Sequence, residues 1–165
     1  MTWQINSTKP IDRVIPGSLC YLVYNEKVLL IQRRNPPHVG LWSPPGGKLN
    51  PGESPTRCVL REFYEETGLI LQNPRLRVVT TVLHGGLGMH WMLFVYYAKA
   101  FSGDLAASDE GDIQWIDLDE LDRYPRPAAD VRMFQHVLTK APVQEMEFRY
   151  DASERLIEQT AGAGR

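Results

Sequence analysis

Glu62, Glu65 and Glu66 stand at positions i, i+3 and i+4 of one another. On a helix turning about 100° per residue, Glu65 falls about −60° and Glu66 about +40° from Glu62, so all three share one face. Like charges so placed repel by roughly 0.2–0.5 kcal/mol per pair. Toward a helix C-terminus the backbone dipole disfavours anions as well. A helix does not need this arrangement to fold. Clustered carboxylates offer hard oxygen ligands to Mg²⁺, which keeps several waters and is commonly shared with substrate phosphates. The same face also suits simple solvation, softened by an Arg61–Glu65 pair. Upstream, Gly46 and Gly47 let backbone approach a ligand closely, and a carbonyl there can complete a metal shell. Lys48 offers a cation for phosphate. An ordinary turn is the plainer reading of the two glycines.

These residues need an element to hold them. Ser54 is a good N-cap, Pro55 suits the first helical position, and Gly68 suits a left-handed C-terminal residue. The spacing predicts a helix over Pro55–Thr67, with Val59, Leu60, Phe63 and Tyr64 turned to the core and Arg57 and Arg61 on the flank. Before it, Arg34–Glu53 is too rich in proline and glycine for regular structure, and long ordered loops are usually functional. Strands are expected at Ser18–Tyr24 and Lys27–Arg33 around an Asn25-Glu26 turn, at Arg77–Leu83 and Met89–Phe101 around a Gly-rich turn, and at Ile113–Ile116. Ala128–Lys140 reads as a second helix, with Val131, Phe134, Val137 and Leu138 at core spacing. Gln144–Tyr150 and Leu156–Thr160 read as late strands. About fifteen N-terminal residues and the closing AGAGR are expected to be loosely ordered. Strands and helices mix without strict alternation, which favours α+β, a mixed sheet flanked by helices.

Composition bounds the partners. The chain has 165 residues, 43% hydrophobic, 23% charged and 10% aromatic, with a net charge of −2. That suits one globular domain and excludes dominant disorder. A chain this near neutral is a poor candidate for wrapping a long nucleic acid, but a small anion needs only local charge. Cys20 and Cys58 cannot build a disulfide framework and form no zinc pattern, so they read as reduced thiols of a cytoplasmic protein. The start MTWQINSTKPIDR lacks the pattern of a signal peptide. Val78–Ala98 carries no charged residue, but its central glycines and histidines make it two strands and a turn, not a membrane span.

Gly47–Leu69, GKLNPGESPTRCVLREFYEETGL, resembles the Nudix box. Gly47, Glu53, Arg61, Glu62, Phe63, Glu65, Glu66, Gly68 and Leu69 fill its specified positions without a gap. The resemblance implies an α/β/α sandwich around a mixed sheet, as a single domain over 1–165. It implies hydrolysis of a nucleoside diphosphate linked to another group, with Mg²⁺ as cofactor and Mn²⁺ able to substitute. Glu62, Glu65 and Glu66 would be metal ligands, joined by the Gly46 carbonyl. Glu62 or Glu65 would take the proton of the attacking water. Glu53 and Arg61 would hold loop and helix in register, and Arg61 can orient a carboxylate by a charge-assisted hydrogen bond. Gly47 and Lys48 would lie on the substrate side.

LWSPPGGK before the box and DEGDIQWIDLDEL after it are similar to the MutT-like branch that hydrolyses 8-oxo-dGTP. There a Glu five residues before a Trp reaches the metal, a spacing that Glu110 and Trp115 reproduce. An exposed loop carboxylate is the plainer reading of Glu110, and a core aromatic that of Trp115. Base recognition departs from that branch. Ser43 follows Trp42 where the branch often has Asn, and Arg126-Pro127-Ala128-Ala129-Asp130 keeps one acidic residue of its usual pair. Asp130 suits a purine edge or the N-cap of the second helix equally well. ADP-ribose and dinucleoside polyphosphate hydrolases tend to show a Pro or Tyr past the box, where this chain has His84-Gly85-Gly86-Leu87. His84 and His90 read as structural or exposed, and Tyr96 and Tyr97 as sheet core. The expected activity is Mg²⁺-dependent hydrolysis of a nucleoside triphosphate, an oxidised one such as 8-oxo-dGTP included, to NMP and pyrophosphate. The alternatives are a sugar nucleotide, an RNA 5′ end, or a non-catalytic nucleotide sensor of the same fold.

Overall fold

Ser54 caps the acidic helix as its type requires. It sits in extended conformation and its hydroxyl accepts the Arg57 N–H, while Gly68 closes the far end at φ 75°. A side chain at Gly68 would press on the Asp104 carbonyl oxygen at 2.8 Å, so glycine is needed there twice over. The computed structural model describes residues 13–85 and 88–162. Gly86, Leu87, residues 1–12 and 163–165 lie outside that range, and with them most of the expected loose N-terminus and part of AGAGR.

The strands are β1 (Val14–Tyr24), β2 (Lys27–Arg33), β3 (Trp42–Ser43) and β4 (Gly46–Lys48), followed by helix α1 (Pro55–Thr67). Next come β5 (Ile70–Gln72), β6 (Arg75–His84), β7 (Met89–Ala98), β8 (Ala100–Ser102) and β9 (Gly111–Asp117). A 3-10 turn at Leu121–Arg123, helix α2 (Ala128–Val137), β10 (Gln144–Tyr150) and β11 (Leu156–Ala161) complete the chain. Nine strands form one mixed sheet in the order β11-β10-β6-β7-β1-β2-β3, with β4 paired to β1 and β9 to β2. The β1–β7 and β6–β10 pairs are parallel and the other pairs antiparallel. β5 and β8 make a small separate sheet.

Alternation along the strands sets the layers. Cys20 and Leu22 of β1, with Tyr96 and Ala98 of β7, pack under Val59 and Phe63 of α1. Tyr21 of β1 and Val95 of β7 pack instead with Met133, Phe134 and Val137 of α2. The result is the expected α+β sandwich, one helix on each face. Phe63 and Val59 are fully buried, each worth roughly 1.5–3 kcal/mol of apolar transfer.

The structure departs from the sequence reading at several places. β1 starts at Val14, so residues 14 and 15 are ordered strand. The proline-rich stretch contains β3 and β4, whose ladders come from distant partners: Ile31 faces Ser43, and Leu19 faces Gly46. The apolar run after Met89 is two strands, because Phe101 leaves the large sheet to pair with Leu71. Tyr64 and Leu138 are exposed rather than core, at 55% and 45%. The helix α2 ends at Val137, and the next residues form a turn in which Thr139 N–H and hydroxyl both bond to the His136 carbonyl.

Candidate active site

Arg61 organises the acidic face. Its Nε and Nη2 each donate to one oxygen of Glu53 at 2.8 Å, a bidentate grip. Nη1 donates to Glu62 at 2.7 Å and to Glu65 at 3.1 Å, and Nη2 also reaches the Lys48 carbonyl at 3.1 Å. One guanidinium therefore ties the glycine turn, the loop before α1 and two carboxylates of α1 together. The Arg61 hydrogen bonds and the Asn50 N–H hold the Glu53 carboxyl down at about 2. The same carboxylates push the guanidinium up from its ordinary range. A shared, geometrically matched network is the setting in which ion pairs count for more than isolated surface pairs.

The glycines are tight against this face. A Cβ at Gly47 would overlap the Glu62 carboxylate, and one at Gly46 would overlap the Ser18 carbonyl oxygen and the β1 backbone at Leu19. The Gly46 N–H donates to Glu66 at 2.9 Å. Glu66, Gly46 and Glu110 share an open cleft with Ile31, Arg33, Arg34, Asn35 and Pro44. Burial pushes the Glu66 carboxyl up to about 8; the Gly46 N–H and Arg33 oppose the rise, and the charges of Glu62 and Glu110 add to it. Asn35 Nδ2 donates to Glu110 at 3.3 Å across the cleft.

Among the described residues, no three His, Cys, Asp or Glu side chains are gathered as a ready metal set. Glu53, Glu62 and Glu65 converge on Arg61, the nearest positive charge available to repelling carboxylates. The donor set still fits a hard dication. Glu66 is a half-buried carboxylate amid acidic neighbours, with a backbone N–H as its hydrogen-bond donor. Glu110 lines the same cleft, and the charges of Glu62 and Glu110 both act on Glu66. Mg²⁺ takes such oxygen ligands while retaining waters, so a few carboxylates and one carbonyl suffice.

Other sequence candidates sit farther out. Lys48 lies over the Trp91 ring, 5.7 Å from its centroid. Ser43 is buried on β3, its hydroxyl without a hydrogen-bond partner. Neither Ser43 nor Asp130 lines the cleft. Asp130 is not the α2 N-cap: Pro127 holds that position, its carbonyl accepts the Val131 N–H, and Asp130 lies in the first turn. Its side chain is 7% exposed, with Oδ2 unpartnered. Burial pushes its carboxyl up to about 7, against the pull of Arg33 and Arg126. Cys20 and Cys58 are buried and free. His84 is buried and stacked on Tyr150, Tyr96 is buried, and Trp115 is half-buried against Phe101. No described helix is long and apolar enough to cross a membrane. Sequence reasoning missed Arg33, Arg34 and Asn35. Their signal was a basic pair closing an apolar strand at the mouth of the proline-rich segment.

Comparison with known proteins agrees with this geometry. The NUDIX domain model matches residues 15–137. The uncharacterized Nudix hydrolase YvcI of Bacillus subtilis is 33% identical over 135 residues, which span 79% of this chain and 84% of that protein. The human 8-oxo-dGDP phosphatase NUDT18 is 28% identical over 146 residues, 85% of this chain but 43% of the longer relative. The crystal structure of a MutT protein from Bacillus halodurans superposes with a TM-score of 0.81 at 32% identity, covering 92% of this chain and 99% of that one. With the box intact and the fold shared, the chain belongs to the NUDIX family, as a MutT-like pyrophosphohydrolase of nucleotide derivatives.

Proposed function

We propose that the protein hydrolyses a nucleoside triphosphate to the monophosphate and pyrophosphate, with Mg²⁺ as cofactor and oxidised purines such as 8-oxo-dGTP among its substrates. One observation carries the reading: a single cleft holds Glu66 and Glu110 together with Arg33 and Arg34. A metal-bound polyphosphate needs that combination, anionic oxygens for the cation and arginines for the remaining phosphate charge. Glu62, Glu65, Glu66, Glu110 and the Gly46 carbonyl would hold Mg²⁺, which when bound neutralises charge on the phosphate oxygens. Arg33, Arg34 and Lys48 would bind phosphate, and the bare backbone of Gly46 and Gly47 would let it approach. Glu62 or Glu65 would accept the proton as the water oxygen bonds to phosphorus. The bridging P–O bond breaks, its electron pair leaves with the departing phosphate, and NMP and pyrophosphate result. Glu53 and Arg61 would keep loop and helix in register.

Asp130 is the candidate for the base. Buried and without a partner on Oδ2, it would share a proton with a purine edge, with Ser43 as a shorter second contact. The name of NUDT18, an 8-oxo-dGDP phosphatase, favours an oxidised guanine and leaves open whether a diphosphate is the better substrate. The test is kcat/KM with Mg²⁺ for 8-oxo-dGTP, 8-oxo-dGDP, dGTP, CTP, ADP-ribose, a sugar nucleotide and a triphosphorylated RNA end. Equal values for 8-oxo-dGTP and dGTP remove the preference for oxidised purines. Turnover confined to ADP-ribose, the sugar nucleotide or RNA replaces the triphosphate reading. Glu62→Gln separates enzyme from sensor, since an enzyme loses most of its rate and keeps nucleotide binding.

A further inference from the structure

The hairpin of β10 and β11 lies beyond the segment that matches the NUDIX domain, 15–137, yet Tyr150 and Glu154 of this region contact the first turn of α2 and the segment between β2 and β3. β10 joins β6 in parallel and brings Tyr150 opposite His84, where the two rings stack at 5.0 Å and 9°. The Tyr150 hydroxyl accepts the Ala129 N–H at 2.8 Å, in a buried contact. That amide is one of the orphan donors of the first turn of α2, and Pro127 at the N-cap has no side chain to satisfy it. The cap comes from a strand, and the residue after it is Asp130.

The turn after β10 supplies the second contact. Glu154 Oε2 accepts the His38 backbone N–H at 3.1 Å and lies 3.1 Å from His38 Nδ1. The His38 ring is buried, with its centroid 5.0 Å from both His84 and Tyr150. His38 adopts φ 64°, a conformation that side-chain-bearing residues keep when their surroundings hold them there. Further bonds tie its segment to β2: Arg33 Nε donates to the Pro37 carbonyl at 2.7 Å, and the Gly40 N–H to the Arg33 carbonyl at 2.8 Å. This segment sets the cleft wall, since Arg34 and Asn35 line it, and both bond to Glu110.

We propose that Tyr150 and Glu154 are positioning residues for the hydrolase cleft: Glu154 seats segment 34–41 through His38, and Tyr150 seats the first turn of α2. Both halves rest on the proposed function: the Glu154 half on the cleft being the hydrolase site, and the Tyr150 half also on Asp130 receiving the base. The test uses the full chain with Glu154→Ala, Glu154→Gln, His38→Ala, the double variant and Tyr150→Phe. Glu158→Ala is the control, because it removes a 3.1 Å contact to Arg149 within the same hairpin. Two readouts are taken: kcat and KM for dGTP with Mg²⁺, and amide hydrogen exchange without nucleotide.

Glu154→Ala should raise KM about fivefold or more with kcat within about twofold, the signature of lost binding geometry, and exchange in 34–41 should rise about tenfold. Glu154→Gln keeps an acceptor oxygen and should restore most of both. The double variant should be no worse than the poorer single one, because the two residues act through one contact. Tyr150→Phe keeps the ring stack and should expose the Ala129 amide to exchange while raising KM. Glu154→Ala matching Glu158→Ala in every readout would overturn the Glu154 assignment, as would wild-type exchange in 34–41. A fall in kcat and thermal stability together at unchanged KM would make the hairpin merely structural. Unchanged Ala129 exchange in Tyr150→Phe overturns that half. Where the wild type turns over 8-oxo-dGTP but not dGTP, the kinetics are read on 8-oxo-dGTP; should it turn over no nucleoside triphosphate, the substrate reading fails and the exchange arm alone decides the positioning roles.

Discussion

Asp130→Asn should remove a loss of stability that the wild type suffers as pH rises from about 4 to 7. In the fold the Asp130 carboxyl is held at about 7 against an ordinary 3.8, chiefly because burial strips water from the charged form. The unfolded chain therefore loses this proton first as pH rises. Between about pH 4 and 7 the folded state binds more protons than the unfolded one, so the contribution of Asp130 to stability falls through that window and is flat above it. Each unit of separation is worth about 1.4 kcal/mol, which makes the full span up to about 4 kcal/mol. Neutral Asn cannot ionise, so its curve lacks this decline. Any packing or hydrogen-bond difference adds an offset independent of pH, and the other carboxylates cancel between the two proteins. Urea unfolding of both at pH 4, 5, 6, 7 and 8 gives the difference directly. The variant should gain on the wild type by about 1.4 kcal/mol per pH unit across the window, then hold constant. Parallel curves from pH 4 to 8 would refute the claim that Asp130 is a neutral acid trapped by burial, and with it the argument that it shares a proton with a base.

Gly47→Ala should lower kcat by about tenfold or more with little change in fold, because the new methyl displaces the Glu62 carboxylate by more than catalytic geometry tolerates; a wild-type rate would mean that Glu62 takes no part. Arg61→Ala should release Glu53, whose carboxyl would climb from about 2 toward its ordinary 4.5. The stabilisation from that depressed acid is present above pH 4.5 and lost as pH falls toward 2, so melting curves of variant and wild type should differ at pH 6 and draw together near pH 2. EDTA should abolish turnover, and Mg²⁺ or Mn²⁺ should restore it; full activity in excess chelator would remove the metal from the reaction.

The acidic helix was legible because its signals are local. Ser54, Pro55 and Gly68 punctuate it, and its face follows from spacing alone. Tyr64 was misplaced because its arc lies at the edge of the buried stripe, where the seating of α1 on the sheet decides. β3 and β4 were hidden because their partners are Ile31 and Leu19, and no local pattern announces such ladders. The cap of α2 was hidden for the same reason, its acceptor being a tyrosine on a later strand. The Glu53–Arg61 contact spans the N-cap and nearly two helical turns and is close to readable. The arginine-lined wall is not, since it exists only once β2 and the segment before β9 come together.

The parallel pairing of β1 with β7 carries a kinetic consequence. Strand β1 finds this neighbour only after the acidic helix, β5 and β6 have been made, with Val14 opposite His90. Loop closure over so much chain must precede any reward from the ladder, and topologies of this kind cross their folding barrier slowly. During synthesis the apolar side of the acidic helix has half of its seat, Cys20 and Leu22, early, but waits for Tyr96 and Ala98. A nascent chain halted before β7 would expose Val59 and Phe63, and a chaperone that binds apolar segments would find its target there.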